Sequence, residues 1–182
     1  MGPVHIRFPT LQDVNACFQL DGLVETSHVW QVQRTGHGDR FRIAIQRVHL
    51  PRPMRLAYPP LGDSLRQCYE ARDGLWVALV RGEVRGFVEV AWDMDQRLGW
   101  IRHLLVDRAW RGQGIGTALL QRAARAAQER GVNRIVVSVN AKNDPGIQFF
   151  IRQGFVFVGY NEVHYEGGDI AVYLGRSVHR WT

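Results

Sequence analysis

The sequence predicts an α+β protein with a mixed, mostly antiparallel central sheet and helices on both faces, and three observations carry that prediction. Up to Val106 most apolar residues fall in short alternating runs, the period of half-buried strands. From Gly116 the period lengthens to that of a helix, with Leu119, Leu120, Ala123, Ala126 and Ala127 on one side of "GTALLQRAARAAQERG". Strand and helix patterns then alternate to the C-terminus, and strands followed by helix, strand, helix, strand pack as a sheet under helices.

The elements follow in order. "VHIRFPT" reads as a short strand, and "LQDVNACFQLDG" as a helix from about Leu11 that Gly22 can end. "VWQVQRTGHGDRFRIAIQRV" holds two alternating runs around a Gly-rich turn at Thr35 to Asp39, which predicts a hairpin. "HLPRPMRLAYPP" is expected as a loop held extended by its four prolines, placed to line a substrate entrance. A helix near "LGDSLRQCYEARD" precedes a meander, in which "GLWVALV" turns at Arg81, Gly82 and Glu83 into "VRGFVEVAWD", and "MDQRLG" turns into "WIRHLLV". Gly131 stops the alanine-rich helix. The strand "RIVVSVN", a helix from about Asp144 with Pro145 in its first turn and Gly154 at its end, and the strands "FVFVGY" and "DIAVYLGR" complete the chain.

A length of 182 residues suits one domain over 1–182, since domains commonly run to roughly 100–200 residues. Hydrophobic residues at 46% and charged ones at 22% fit a folded chain and exclude disordered and fibrous classes. No apolar run approaches the ~18 residues of a membrane span and the N-terminus carries no apolar signal segment, so the expected location is the cytoplasm, with no membrane partner. Cys17 and Cys68 lack metal-ligand spacing and read as small buried side chains, and no metal site is expected. A net charge of +6 suits an anionic partner. The basic residues, all arginine except Lys142, are scattered along the chain, which favours an anionic cofactor over nucleic acid. A homodimer is the candidate assembly.

"VDRAWRGQGIG", Val106 to Gly116, sits where a strand pattern gives way to a helix. A helix start exposes unpaired N–H groups and a partial positive charge, so glycines there let backbone approach an anionic phosphate. Gly112, Gly114 and Gly116 are expected to take positive φ angles, with Arg111 adding a charged partner. A Walker loop needs a Gly-Lys pair, which a chain whose one lysine is Lys142 lacks. The dinucleotide fingerprint fails at Thr117, where its third glycine would stand.

Arg111, Gly114 and Gly116 match the pattern Arg/Gln-x-x-Gly-x-Gly/Ala, and "NDPGIQFFIRQGF" supplies Asn143, Gly146, Gly154 and Phe155 downstream. On these two motifs the chain resembles the GCN5-related N-acetyltransferases, with Arg108 where that family commonly has proline. Within the family it looks most like the streptothricin acetyltransferase type, through "DGLVETSHVW", "VHLPRPMRLAYP", "GFVEVAW" and "GGDIAVYL". The resemblance implies acetyl-CoA as cosubstrate. Its pyrophosphate would lie on Arg111, Gly112, Gln113, Gly114, Ile115, Gly116 and Thr117, and its pantetheine and thioester carbonyl against the backbone of Leu104, Leu105 and Val106. Asn143 would bond CoA through its amide, and Phe149 and Phe150 would pack beside the pantetheine.

An amine must be neutral to attack a thioester, and freeing the base of a lysine-like amine at neutral pH costs about 4 kcal/mol. His103 is the first candidate base, weighed against a partly buried strand histidine. Arg102 beside it would face the other side of a regular strand. Glu89 and Glu162 rank after it, read as solvated surface acids. The streptothricin type usually shows an acidic pair where Arg102 and His103 stand, which leaves the acceptor open. Phe150 occupies the place of the family's usual proton-donating tyrosine, so Tyr160 or Tyr165 becomes the candidate acid. Trp92, Asp93 and Asp95 are further candidates for the acceptor pocket. The expected reaction is direct attack by a primary amine of a small molecule, a streptothricin-like antibiotic among the candidates. The alternatives are a protein N-terminal or lysine acetyltransferase, and a CoA-binding module without catalysis.

Overall fold

Alternation and helical period in this chain give, in order, β1 (Val4–Arg7), α1 (Leu11–Cys17), β2 (Val24–Thr35), β3 (Arg42–Leu56), α2 (Ser64–Ala71), β4 (Leu75–Val80), β5 (Glu83–Asp93), β6 (Leu98–Val106), α3 (Ile115–Glu129), β7 (Arg134–Asn140), α4 (Asp144–Arg152), β8 (Val156–Asn161) and β9 (Ala171–Ser177). The computed structural model describes residues 2–165 and 168–181, so Gly167 of "GGDIAVYL" lies outside the described residues. The chain forms two compact units, Met1–Gly22 with Tyr58–Val137 and Gly175–Thr182, and Leu23–Ala57 with Ser138–Leu174.

In the first unit the strand order is β1-β4-β5-β6-β7. The first three junctions are antiparallel and β6 to β7 is parallel. All six residues of β4 are buried, as in a strand covered on both faces. Leu75, Val77 and Leu79 join Phe87 and Leu105 in a core with Val14 and Cys17 of α1 and Leu65 of α2. The alternate residue Trp76 meets the other face, where the Arg122 guanidinium of α3 lies 4.9 Å from its ring centroid. Helices therefore cover both faces, as the sequence predicts. Buried Ala123, Ala124, Ala126 and Ala127 keep α3 slim on the sheet side. Arg81 and Gly82 join β4 to β5 with both φ angles positive, the geometry of a tight hairpin turn.

Two expectations are corrected. α1 stops at Cys17, five residues before Gly22, and is held at its start by a capping box in which Thr10 and Asp13 satisfy each other's backbone N–H. Gly22 serves close packing, because a Cβ there would meet the Tyr58 Cβ at 2.5 Å. The proline stretch is largely strand, since β3 continues to Leu56. Between Thr26↔Met54 and His28↔His49 the register slips, looping Leu50 to Pro53 out of the ladder, so Pro51 and Pro53 sit where no N–H is needed.

In the second unit β2 and β3 pair as a long hairpin and β8 lies beside β9. The hairpin is fixed by Asp144, the first residue of α4, which is 4% exposed. Its Oδ1 accepts from Trp30 Nε1 at 2.9 Å and Arg47 Nε at 2.8 Å, and its Oδ2 from Arg47 Nη2 at 2.9 Å. The Trp30 N–H donates to the Ala141 carbonyl at 2.8 Å. Burial pushes the Asp144 carboxyl up, but the bonds from Arg47 and Trp30 outweigh it and hold the group below its ordinary 3.8. No helix among the described residues is long and apolar enough to cross a membrane.

Asp144→Ala should destabilise the protein by about 1–3 kcal/mol, because it strands the Trp30 donor and the Arg47 fork. Because the folded carboxyl is the stronger acid, its contribution is present above pH 3.8 and is lost as pH falls through the lowered folded value. Urea unfolding of the wild type and the variant should therefore converge at acid pH; a constant gap would refute the assignment.

Candidate active site

The glycine loop is built by the turn before it. Asp107 Oδ1 accepts from the Ala109 N–H at 3.1 Å and caps a single 3₁₀ turn, Arg108–Trp110. The Arg108 N–H donates to the Asp21 carbonyl at 2.9 Å. Gly112 (φ +75°) and Gly114 (φ +81°) then take left-handed conformations, and a Cβ at either would meet nothing within 4 Å. Glycine is required there by conformation, and the space beside it is open. Gly116 departs from expectation, because it lies inside α3 and its φ is not positive. The N-cap of α3 is Gly114, with no side-chain cap and no acid in the first turn. Ile115, 1% exposed, anchors the helix start in the core. Arg111 Nε donates to the Val106 carbonyl at 3.1 Å, which holds the exposed guanidinium across the base of the loop. Gln113 Nε2 donates to the Ala109 carbonyl at 3.4 Å. A positive helix end, an arginine and an open backbone surface together suit an anion.

The strand leading into the loop is irregular. β5 pairs with β6 at Glu89↔His103 and then at Val90↔Ile101, so Arg102 is an extra residue, a β-bulge. The regular-strand reading of Arg102 fails here. Its charge acts on Glu89, Cys68 and His103 together. Parallel pairing with β7 runs from Leu98↔Arg134 to Ile101↔Val137 and stops before the bulge. Leu104, Leu105 and Val106 keep a ladder to Val88, Phe87 and Gly86. Leu105 is buried in the core, while Leu104 and Val106 are half-buried.

His103 is half-buried, with Nδ1 3.2 Å from the Tyr58 hydroxyl and the Phe87 ring 6.5 Å from its own. Burial and then the Arg102 charge push its pKa down to about 4, so the imidazole is neutral at neutral pH. Glu89 is not the surface acid expected from the sequence. It is fully buried, with Oε2 3.0 Å from Ser64 Oγ and Oε1 3.6 Å from Cys68 Sγ. Burial pushes its carboxyl up, against smaller lowering effects of Ser64, Arg102 and Cys68. The signal was present in "FVEV", one acid in an apolar stretch of a central strand, with Ser64 and Cys68 one helical turn apart to meet it. Glu162 is exposed in the turn after β8.

The structure thus gathers His103, Leu104, Leu105, Val106 and residues 111–117 in the first unit and Asn143, Phe150, Tyr160 and Tyr165 in the second. Asn143 Oδ1 caps α4 by accepting from the Gly146 N–H at 3.0 Å. Phe150, 5% exposed, packs edge-on against Phe149 and Phe155 in the interior of its unit. The half-buried Tyr165 is hydrogen-bonded to Ser138, and burial pushes its pKa up. Tyr160 is half-buried on β8. Trp92 Nε1 donates to Asp73 Oδ1 at 3.2 Å, in the segment between α2 and β4, and Asp93 Oδ1 accepts from the Gln96 N–H at 2.9 Å and supports the turn before β6; Asp95 is exposed. Among the described residues no group of three or more His, Cys, Asp or Glu is placed to hold a metal ion.

Comparison with known proteins agrees with this architecture. Streptothricin acetyltransferase of Streptomyces lavendulae is 33% identical over 172 residues, covering 89% of this chain and 88% of that protein. The crystal structure of nourseothricin acetyltransferase superposes with a TM-score of 0.83 at 28% identity over 96% of this chain and 98% of that one. A Bacillus anthracis structure described as a candidate streptothricin acetyltransferase, in complex with acetyl coenzyme A, shares the fold with a TM-score of 0.77 at 19% identity, covering 96% of this chain and 99% of that one. The model of the acetyltransferase (GNAT) family matches residues 44–155, which contain the bulged strand, the glycine loop and both motifs, and the chain belongs to that family of acetyl-CoA-dependent N-acetyltransferases.

Proposed function

We propose that this acetyltransferase moves the acetyl group of acetyl-CoA to a primary amine of a small molecule, with a streptothricin-like antibiotic as acceptor. The observation that carries the acceptor is the 33% identity to a streptothricin acetyltransferase across nearly the full length of both chains. In this reading Arg111, Gly112, Gln113, Gly114, Ile115, Gly116 and Thr117 hold the pyrophosphate of CoA. The β6 backbone at Leu104, Leu105 and Val106, which lacks a β7 partner, takes the pantetheine and polarises the thioester carbonyl. Asn143 completes the cofactor contacts, while Phe150, expected beside the pantetheine, instead packs in the interior of its unit.

The amine attacks directly. Burial holds the Cys17 and Cys68 thiols up at about 12, so neither supplies a thiolate for an acyl-enzyme. His103 presents a neutral imidazole, one of whose ring nitrogens keeps a lone pair for a proton, with Nδ1 3.2 Å from the Tyr58 hydroxyl. Tyr165 keeps its proton, since burial raises its pKa, and it is the first candidate to protonate the leaving thiolate, ahead of Tyr160. The test is thiol release from acetyl-CoA across streptothricin, polyamines, and peptides with free N-termini or lysines. Turnover of streptothricin with one added acetyl mass supports the reading, and turnover of peptides alone overturns it.

Gly114→Asp should weaken CoA binding at least about tenfold in calorimetry, because it places a carboxylate beside the cofactor's phosphates. Its melting temperature should fall by only a few degrees, the strain of a side chain at positive φ. Unchanged affinity would remove the loop from the cofactor site. His103 carries a folded pKa of about 4 against an ordinary 6.5, so protons favour the unfolded chain and stability falls as pH drops through that window. His103→Gln should flatten this acid limb in urea midpoints, and an unaltered limb would show that the imidazole is not held neutral.

A further inference from the structure

We propose that Glu89 is the proton acceptor behind His103, the seat that takes the proton lost by the substrate ammonium during acetyl transfer. The inference rests on the acetyltransferase reading above. It begins from a buried acid that the fold does not require. Glu89 stands among Phe87, Val88 and Val90, is 0% exposed, and makes no ion pair among the described residues. A buried acid without an ion pair is costly, so a purely structural site would favour an apolar residue or an amide.

The surroundings fit a carboxyl that changes protonation state. Ser64 Oγ lies 3.0 Å from the Leu61 carbonyl and 3.0 Å from Glu89 Oε2, yet a hydroxyl has one proton to donate. When Glu89 is ionised, Ser64 donates to it and the Cys68 thiol donates to Oε1. When Glu89 is protonated, its O–H donates to Ser64 and Ser64 turns to Leu61. Rotating one hydroxyl satisfies both states. Glu89 and His103 are directly paired across β5 and β6, so their side chains leave the same face of the sheet, and the Arg102 bulge lies immediately beyond.

The charged and titratable groups on the elements packed against Glu89 are few. α2 brings Ser64 and Cys68, and β6 brings Arg102 and His103. β4 brings apolar Leu75. α1 brings Cys17, whose thiol stays protonated, and Asp13, which is paired with Arg7 at 2.7 Å. With its pKa near 4, His103 relays a proton without retaining it, whereas burial makes Glu89 the stronger base of a carboxylate kind.

The step balances. The ammonium loses one proton through His103 to the Glu89 carboxylate, and the free nitrogen lone pair forms the C–N bond to the acetyl carbon. The C–S bond breaks with its electron pair left on the CoA sulfur, which takes the Tyr165 proton, and the second nitrogen proton restores the tyrosine. The Glu89 proton then passes to solvent.

The test is the pH profile of kcat/KM and kcat for thiol release, read with whichever amine of the panel turns over. The wild type should show an acid limb set by Glu89, with activity rising as pH rises. Glu89→Gln should lower kcat by about 100-fold or more and abolish that limb, with KM for acetyl-CoA unchanged. Ser64→Ala removes a bond that favours the ionised carboxyl and should move the limb to higher pH. Glu89→Gln with wild-type kcat and limb, or a Ser64→Ala limb that stays in place, overturns the proposal. Should Glu89→Gln lose activity, its melting temperature from about pH 5 to about pH 9 separates chemistry from folding. Because the folded pKa of Glu89 is raised, the wild type loses stability relative to the amide as pH rises. A Glu89→Gln protein that loses ground as pH rises would instead mark a structural carboxylate and overturn the proposal. Turnover of another amine with streptothricin inert overturns the acceptor assignment and leaves the limb readable.

Discussion

Strand β6 takes one residue more than β5 at Arg102 and loses its pairing with β7 just before it. That register fault organises the chemistry of the first unit. Without it His103 would fall on the opposite face, away from Tyr58 and Phe87, because a slip of one residue exchanges the faces of a strand. Leu105 would leave the core that it shares with Phe87, Val14 and Leu65. The same stretch, from His103 to Val106, is laddered to β5 and not to β7 on the strand that delivers the chain to the glycine loop.

Much of this was legible in the sequence where a local rule suffices. The meander, the alanine-rich helix and the strand Arg134–Asn140 follow from hydrophobic period, and the left-handed glycines from their place before a helix. The fold class and the family followed from the same residues. What was not legible depends on non-local pairing. Pro51 and Pro53 read as loop because the register slip that accommodates them is set by β2, some two dozen residues earlier. Arg102 read as an ordinary strand residue because a bulge has no composition of its own. Glu89 read as a surface acid because its burial is made by α2, a helix whose position on the sheet no periodicity reveals. Gly116 reads as a left-handed turn in the sequence because the helix begins one residue earlier than its alanines suggest.

The electrostatics share one pattern. Desolvation is the largest influence on Cys17, Cys68, His103 and Glu89, and in each it removes charge: thiols stay thiols, the imidazole stays neutral, and the carboxyl is drawn towards its acid form. Arg102, exposed on the bulge, is a charge that acts on three of these four groups. An enzyme of this family must deprotonate an ammonium beside a neutral thioester, and surroundings that discourage stray charge favour the free amine over the ammonium.

The glycine loop has a consequence for how the enzyme meets its environment. Its anion-facing surface is peptide backbone and one guanidinium, none of which gains or loses a proton in the range where cells live. The Glu89 carboxyl, by contrast, is drawn towards its acid form by burial. In the proposed mechanism, therefore, acidity bears on proton transfer at Glu89 and not on the loop that would hold CoA.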